Sequence, residues 1–200
     1  MFYKNLNKSI ITYLIISVPL FTLLFSLKKS PLNYTLSKIG YWFDYRLTFI
    51  LWGAVTAVLL FFTIYNIYKK YNFSNKKSVW LLILALFFLI LTVLTPIVDN
   101  TFLEDNFNEI DQQLSTKTSL FNLHNIFAFL FSLFLMFSLY LFSKYLHSFN
   151  KKIYLKSFKW FLITIGGSLF MIFIFGFSGI FQLFFFISLA VFLFILNIKK

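Results

Sequence analysis

From Trp160 to Ile198 the chain carries no charged residue. A single helix of that length would rise about 58 Å, against roughly 30 Å for the hydrocarbon core of a bilayer. Two membrane-spanning helices fit the stretch better than one. The sequence "GFSG" at 176–179 offers the turn between them, because glycine tolerates a left-handed backbone. The pair Gly166–Gly167 is a rival break point, and its other reading is close helix packing through small residues.

The rest of the chain repeats this pattern. Six apolar runs are readable, about 10–27, 47–68, 79–98, 123–142, 160–175 and 180–198. Hydrophobic residues make up 60% and charged residues 12%, whereas a soluble domain has roughly 45–50% and about 25%. The expectation is an all-α, polytopic membrane helix bundle of six transmembrane helices, forming a single integral membrane domain. The first run resembles the apolar stretch of a signal peptide, with Lys4 and Lys8 before it. It lacks a small-x-small cleavage site and is followed by "LLFSLKKS", so it is expected to remain as an uncleaved span.

A net charge of +12 would point to nucleic acid if taken alone. The lysines, however, lie in short clusters between apolar runs, so nucleic acid is not an expected partner. The chain has no cysteine, and disulfides and thiolate metal sites are excluded. With six spans, the two termini, the 69–78 loop and the 143–159 loop share one side and hold 13 of the 18 basic residues. Lys28, Lys29, Lys38, Arg46 and Lys117 fall on the other side, together with all six acids. By the positive-inside rule both termini are expected to be cytoplasmic, in a multi-pass protein of the cell membrane. The cytoplasmic lysine clusters serve as topology determinants and would also attract anionic lipid head groups. Nothing in the sequence sets an oligomeric state.

Two segments on the outer side are amphipathic. In "SPLNYTLSKIG", Ser30 suits an N-cap and Pro31 the first helical position. Leu32, Leu36, Ile39 and Phe43 then recur at helical spacing, and Gly40 is placed to end the helix in a left-handed cap. The segment about 101–115 opens on a capping-box pattern, "TFLE". Leu103, Phe107, Ile110 and Leu114 form its apolar stripe. Both segments are too short and polar to span, and are expected in the outer interface plane or folded over the bundle as a lid. The acids of the second do not match a calcium loop.

Asp44 and Arg46 precede the second span, Asp99 ends the third and His124 opens the fourth, so all four are expected near the outer boundary. Pro96 removes the hydrogen bond to the Thr92 carbonyl and is expected to kink the third span; the freed carbonyl needs a partner or water. Thr92, Thr95 and Asp99 share one side of that span. His124, Ala128 and Ser132 share a face of the fourth, while Gly53 and Ala57, four apart on the second, would let a neighbouring backbone come close. Arg46 is the sole arginine, a planar cation suited to carboxylate or phosphate. It reads either as an interfacial or salt-bridged residue paired with Asp44 or Asp99, or as an anion contact. His124 reads either as an interfacial side chain with one hydrogen bond or as a partner of Asp99 able to relay protons. His147 lies among lysines at the opposite side and reads as solvated. No metal, cofactor or catalytic motif is present: the two histidines are on opposite sides, and neither H-E-x-x-H, a phosphate loop nor a nucleophile elbow occurs.

The outer "SKIG" at 37–40, "FILWG" at 49–53 and "HNIFAF" at 124–129 resemble the bacterial six-span family catalogued as domain-of-unknown-function family 998. That family is itself similar to the eukaryotic DRAM and FRAG-type membrane proteins. The resemblance covers about residues 30–132, on Ser37, Gly40, Gly53, His124, Asn125 and Ala128. It implies six helices with both termini inside and a role in membrane or lipid organisation, without a settled activity. The family often carries an acid after the serine; Lys38 stands there in this chain, so a shared acid function is not implied.

The expected function is therefore a non-enzymatic membrane protein with an outward-facing polar pocket for a lipid head group or small amphiphile. Arg46 would meet the anion, with Asp99 and His124 completing the ring and Asp44, Asn125 and Ser37 beside it. One alternative is a small-solute or proton-coupled transporter, against which stands a midplane of Phe, Leu and Ile without internal repeats. The other is a lipid-modifying enzyme with His124 as general base, which needs a nucleophile nearby.

Overall fold

A computed structural model describes residues 20–21, 23–24, 32, 34–42, 45–96, 123–149 and 151–198. These residues form helices and no strands. Six helices are continuous: α1 (Leu36–Trp42), α2 (Arg46–Lys70), α3 (Lys76–Leu94), α4 (Leu123–Phe149), α5 (Lys151–Phe175) and α6 (Gly179–Ile198). All but α1 are long and apolar enough to cross a membrane, the architecture of a helical membrane protein. The expected first span at 10–27 lies outside the described residues apart from four helical positions. One of these, Phe21, stacks on Trp52 of α2 with ring centroids 6.0 Å apart.

The α2–α3 hairpin is encoded locally. Asn72 adopts a left-handed φ of 53°, a conformation asparagine tolerates better than most residues. Its N–H donates to the Lys69 carbonyl at 3.1 Å, and the Phe73 N–H donates to the Tyr68 carbonyl at 2.9 Å. This is the Schellman arrangement, and its customary apolar contact is the Phe73–Tyr68 ring pair at 5.0 Å. Three residues later Asn75 caps α3, its side chain accepting from the Lys77 N–H at 2.9 Å and the Ser78 N–H at 3.4 Å. Between α5 and α6 the turn falls at Gly176, with φ 62°, within the "GFSG" stretch.

α3 packs most extensively on α4, and α5 on α6; α2–α3, α4–α5 and α2–α6 contacts complete the bundle. Between lipid-embedded helices no hydrophobic driving force remains, and dispersion, small residues and hydrogen bonds hold the packing. The α3–α4 seam shows all three. Leu82 and Ala85 of α3 and Leu135 and Leu139 of α4 are buried. One turn into α3, Ser78 Oγ donates to the Ser138 carbonyl at 2.9 Å, and Ser138 Oγ donates back to the Ser78 carbonyl at 2.7 Å. The Tyr68 hydroxyl, from α2, lies 2.8 Å from Ser138 Oγ and 3.2 Å from Ser78 Oγ. Each hydroxyl has one proton, so the serines spend theirs on carbonyls and Tyr68 donates to Ser138.

Several expectations need correction. The 143–159 segment is not a loop: α4 runs to Phe149 and α5 starts at Lys151, so Lys144, Lys151, Lys152, Lys156 and Lys159 are helical. Gly40 is not a left-handed cap but lies inside α1. A Cβ there would come within 2.8 Å of Phe49 Cβ and Cγ, so its missing side chain serves the α1–α2 contact. The helix is set at its start by Thr35, whose hydroxyl accepts from the Lys38 N–H at 3.2 Å. The proposed caps Ser30 and Pro31, and Phe43, lie outside the described residues, as does the whole 101–115 segment. Pro96 does not kink α3 but follows its end: Thr95 is already extended, with φ −79° and ψ 122°, as a residue before proline prefers. The glycine pair in α5 divides, since a Cβ on Gly167 would strike the Phe184 ring whereas one on Gly166 would meet open space. Gly166 is thus exposed and does not pack a helix.

Candidate functional site

The end of the bundle that carries α1 also holds the starts of α2, α4 and α6 and the end of α3. Its polar groups gather on the last turn of α3. That turn leaves carbonyls without an intrahelical partner, and Pro96 cannot supply the N–H that Thr92 would otherwise accept. Side chains from two other helices fill the gap. The Tyr41 hydroxyl, from α1, donates to the Val93 carbonyl at 2.7 Å. His124, from the first turn of α4, places Nδ1 3.0 Å from the Thr95 carbonyl. A carbonyl only accepts, so Nδ1 carries the proton. Thr92 and Thr95 turn their hydroxyls back to the Phe88 and Leu91 carbonyls, each at 2.7 Å.

Tyr41 joins the residues singled out in the sequence. Its ring meets the His124 ring edge-on at 6.4 Å, and the Arg46 guanidinium carbon stands 5.5 Å from its centroid. Arg46 is exposed and His124 buried, at 3% exposure. The exposed cation and the buried imidazole thus contact the same phenol. Burial raises the Tyr41 pKa above its ordinary value, and the neighbouring Arg46 charge offsets part of that rise. Phe49 packs edge-on against Tyr41 at 6.1 Å, so the ring that carries Arg46 is held by a hydrogen bond and by apolar contact.

The other expected residues take different places. Ser37 is buried, its hydroxyl 3.3 Å from that of Thr35, and Asn125 is exposed. Gly53 lies against Val93, where a Cβ would collide with both valine methyls. Ala57, one turn further along α2, is buried and Ala128 half-buried. Asp44 and Asp99 lie outside the described residues. α1 is tied across the site to α6, because Gln182 Oε1 accepts from the Leu36 N–H at 2.9 Å.

Two polar features were not anticipated. Tyr41 had no signal beyond its place next to an apolar helical face, since tyrosine is common at membrane interfaces. The Tyr68–Ser78–Ser138 network was hidden because serines in apolar runs read as small packing residues. Comparison of the chain with protein-family models, with curated proteins and with solved structures found no match.

Proposed function

We propose that the chain is a non-enzymatic, multi-pass protein of the cell membrane whose α1 end binds the anionic head group of a lipid or small amphiphile. The observation that carries this reading is Arg46, an exposed guanidinium standing over a phenol that is itself pinned to the end of α3. A guanidinium has five N–H donors, so one engaged by the Tyr41 hydroxyl leaves others to meet a phosphate or carboxylate. His124 is engaged with the α3 backbone, which suits a structural anchor better than a general base or a proton relay.

The lysines give the sidedness. Among the described residues the α1 end carries Lys38 and Arg46, and nine lysines lie near the opposite end, from Lys69 to Lys159. In this reading the lysine end is cytoplasmic. With the 10–27 run as a sixth span both termini fall there too, the layout implied by the resemblance to the six-span family. Native mass spectrometry of gently extracted protein tests the binding site. Wild type should retain an anionic amphiphile that Arg46→Ala releases, and equal retention by the two would count against the site.

A further inference from the structure

α4 and α5 pack on each other less extensively than α3 on α4 or α5 on α6. Between them lies an open groove of about 430 Å³. Phe129, Met136 and Tyr140 line it from α4, and Phe161, Ile165 and Leu169 from α5. Ser132 also borders it, but its hydroxyl is turned to the Phe129 carbonyl at 2.8 Å, which leaves the lining apolar. Phe129 and Tyr140 are about 16 Å apart along the helix axis. That matches the hydrocarbon depth of one leaflet, half of roughly 30 Å.

The lysines of the α4–α5 hairpin continue the groove toward the membrane surface. Lys144 stands one turn beyond Tyr140, and Lys151 opens α5 below Phe161; both are exposed. At 100° per residue each lies within about 50° of the line of groove residues on its own helix. Past Tyr140 the two helices meet again, where His147 and Tyr154 make an edge-on contact at 4.7 Å and Tyr154 stacks on Phe158 at 5.1 Å. The closing contact lies between the two cations: Lys144 is about 5 Å along its helix on the groove side of His147, and Lys151 about 5 Å along its helix on the hairpin side of Tyr154.

We infer that this groove holds one acyl chain of an anionic phospholipid from the lysine-side leaflet, with its phosphate between Lys144 and Lys151. Apolar depth and paired cations on the same two helix faces are the complement of such a lipid. This site is at the opposite end of the bundle from Arg46 and goes beyond the function proposed above.

The test is native mass spectrometry of the delipidated protein titrated with phosphatidylglycerol or with phosphatidylcholine of the same chains. Wild type should prefer phosphatidylglycerol. Lys144→Gln and Lys151→Gln should each lower that preference by about five-fold. Ser132→Phe, which fills the groove, should weaken retention of both lipids. Made in an Arg46→Ala background, where the α1-end site is already disabled, the two lysine substitutions should still lower the preference by the same factor, which separates this site from the one at the α1 end. Wild-type retention in the double lysine variant would overturn the inference. A lipid-free dimer sensitive to Ser132→Phe would also overturn it, giving the groove to a second copy of the chain.

Discussion

Ser138→Ala separates the hydroxyl network from simple packing, because the hydrogen bonds fix both the size and the sign of its effect. The substitution removes the 2.7 Å bond to the Ser78 carbonyl and the acceptor that Tyr68 uses at 2.8 Å. Interhelical hydrogen bonds in membranes are worth about 0.6 kcal/mol on average and up to about 1.7. Tyr68 retains a fallback, since Ser78 Oγ lies 3.2 Å away. The expected cost of Ser138→Ala is therefore about 1–2 kcal/mol, and that of Ser78→Ala, which loses one bond to the Ser138 carbonyl, about 0.5–1 kcal/mol. The double variant should cost more than the sum, because both acceptors of a fully buried tyrosine hydroxyl are then gone. An unsatisfied buried group costs about 1–3 kcal/mol, so an excess near 1 kcal/mol is expected. Tyr68→Phe should abolish that excess. Steric trapping in bicelles measures the four stabilities of the cycle, and the same four with Tyr68→Phe added to each. Strict additivity with Tyr68 present would refute the shared-acceptor arrangement, and unchanged stability in both single variants would refute the clasp itself.

Gly53→Ala should destabilise by about 1–3 kcal/mol through its collision with the Val93 methyls, offset in part by alanine's better helix propensity. Val93→Ala should rescue it, and Gly166→Ala, which meets no neighbour, should be neutral or stabilising in the same steric-trapping assay. Tyr41, read by ultraviolet difference titration against Tyr41→Phe, should ionise above the ordinary tyrosine value of 10.0 and higher still in Arg46→Ala. A phenol whose folded pKa is raised contributes stability that is present below the unfolded pKa, so this contribution is lost as pH climbs from about 10 through the folded value. The absence of cysteine makes sidedness direct to measure. Thr48→Cys, at the start of α2, should react with a membrane-impermeant maleimide in intact cells, and Ser74→Cys, in the α2–α3 turn, only after permeabilisation.

Element type was legible wherever long apolar runs made period irrelevant and length decisive. The turn at "GFSG" followed from the lysine- and acid-free stretch that had to be broken somewhere, and Gly176 takes the left-handed backbone there. Helix ends were harder to read. Hydropathy marks where lipid ends, whereas hydrogen bonding continues past it, so α4 and α5 extend through Lys144 and Lys159 into the lysine clusters. Gly40 misled because a glycine near the end of an apolar periodicity looks the same whether it caps a helix or admits a neighbouring side chain; only the position of Phe49 separates the two. Arg46 and His124 stood out by rarity and do meet around a common ring. That ring belongs to Tyr41, one of 11 tyrosines, and no local pattern distinguishes a tyrosine that caps a distant helix.

Both ends of the bundle cap terminal carbonyls with side chains from neighbouring helices, and what that capping leaves over at the α1 end bears on function. At the lysine end the α2–α3 turn caps both helices from its own residues, while Tyr145 of α4 donates to the Tyr71 carbonyl at 3.0 Å and Tyr71 donates to the Leu196 carbonyl of α6 at 2.9 Å. At the other end α3 stops at a proline, and its last carbonyls depend on Tyr41 and His124 from separate helices. A carbonyl left unpaired in low dielectric is costly, so α1 and the start of α4 are bound to α3 by necessity rather than by ligand. Arg46 is not consumed in that capping: it rests on the tyrosine from outside and remains exposed. Capping therefore fixes the platform, and the cation placed on it is the group left to meet whatever arrives from that side of the membrane.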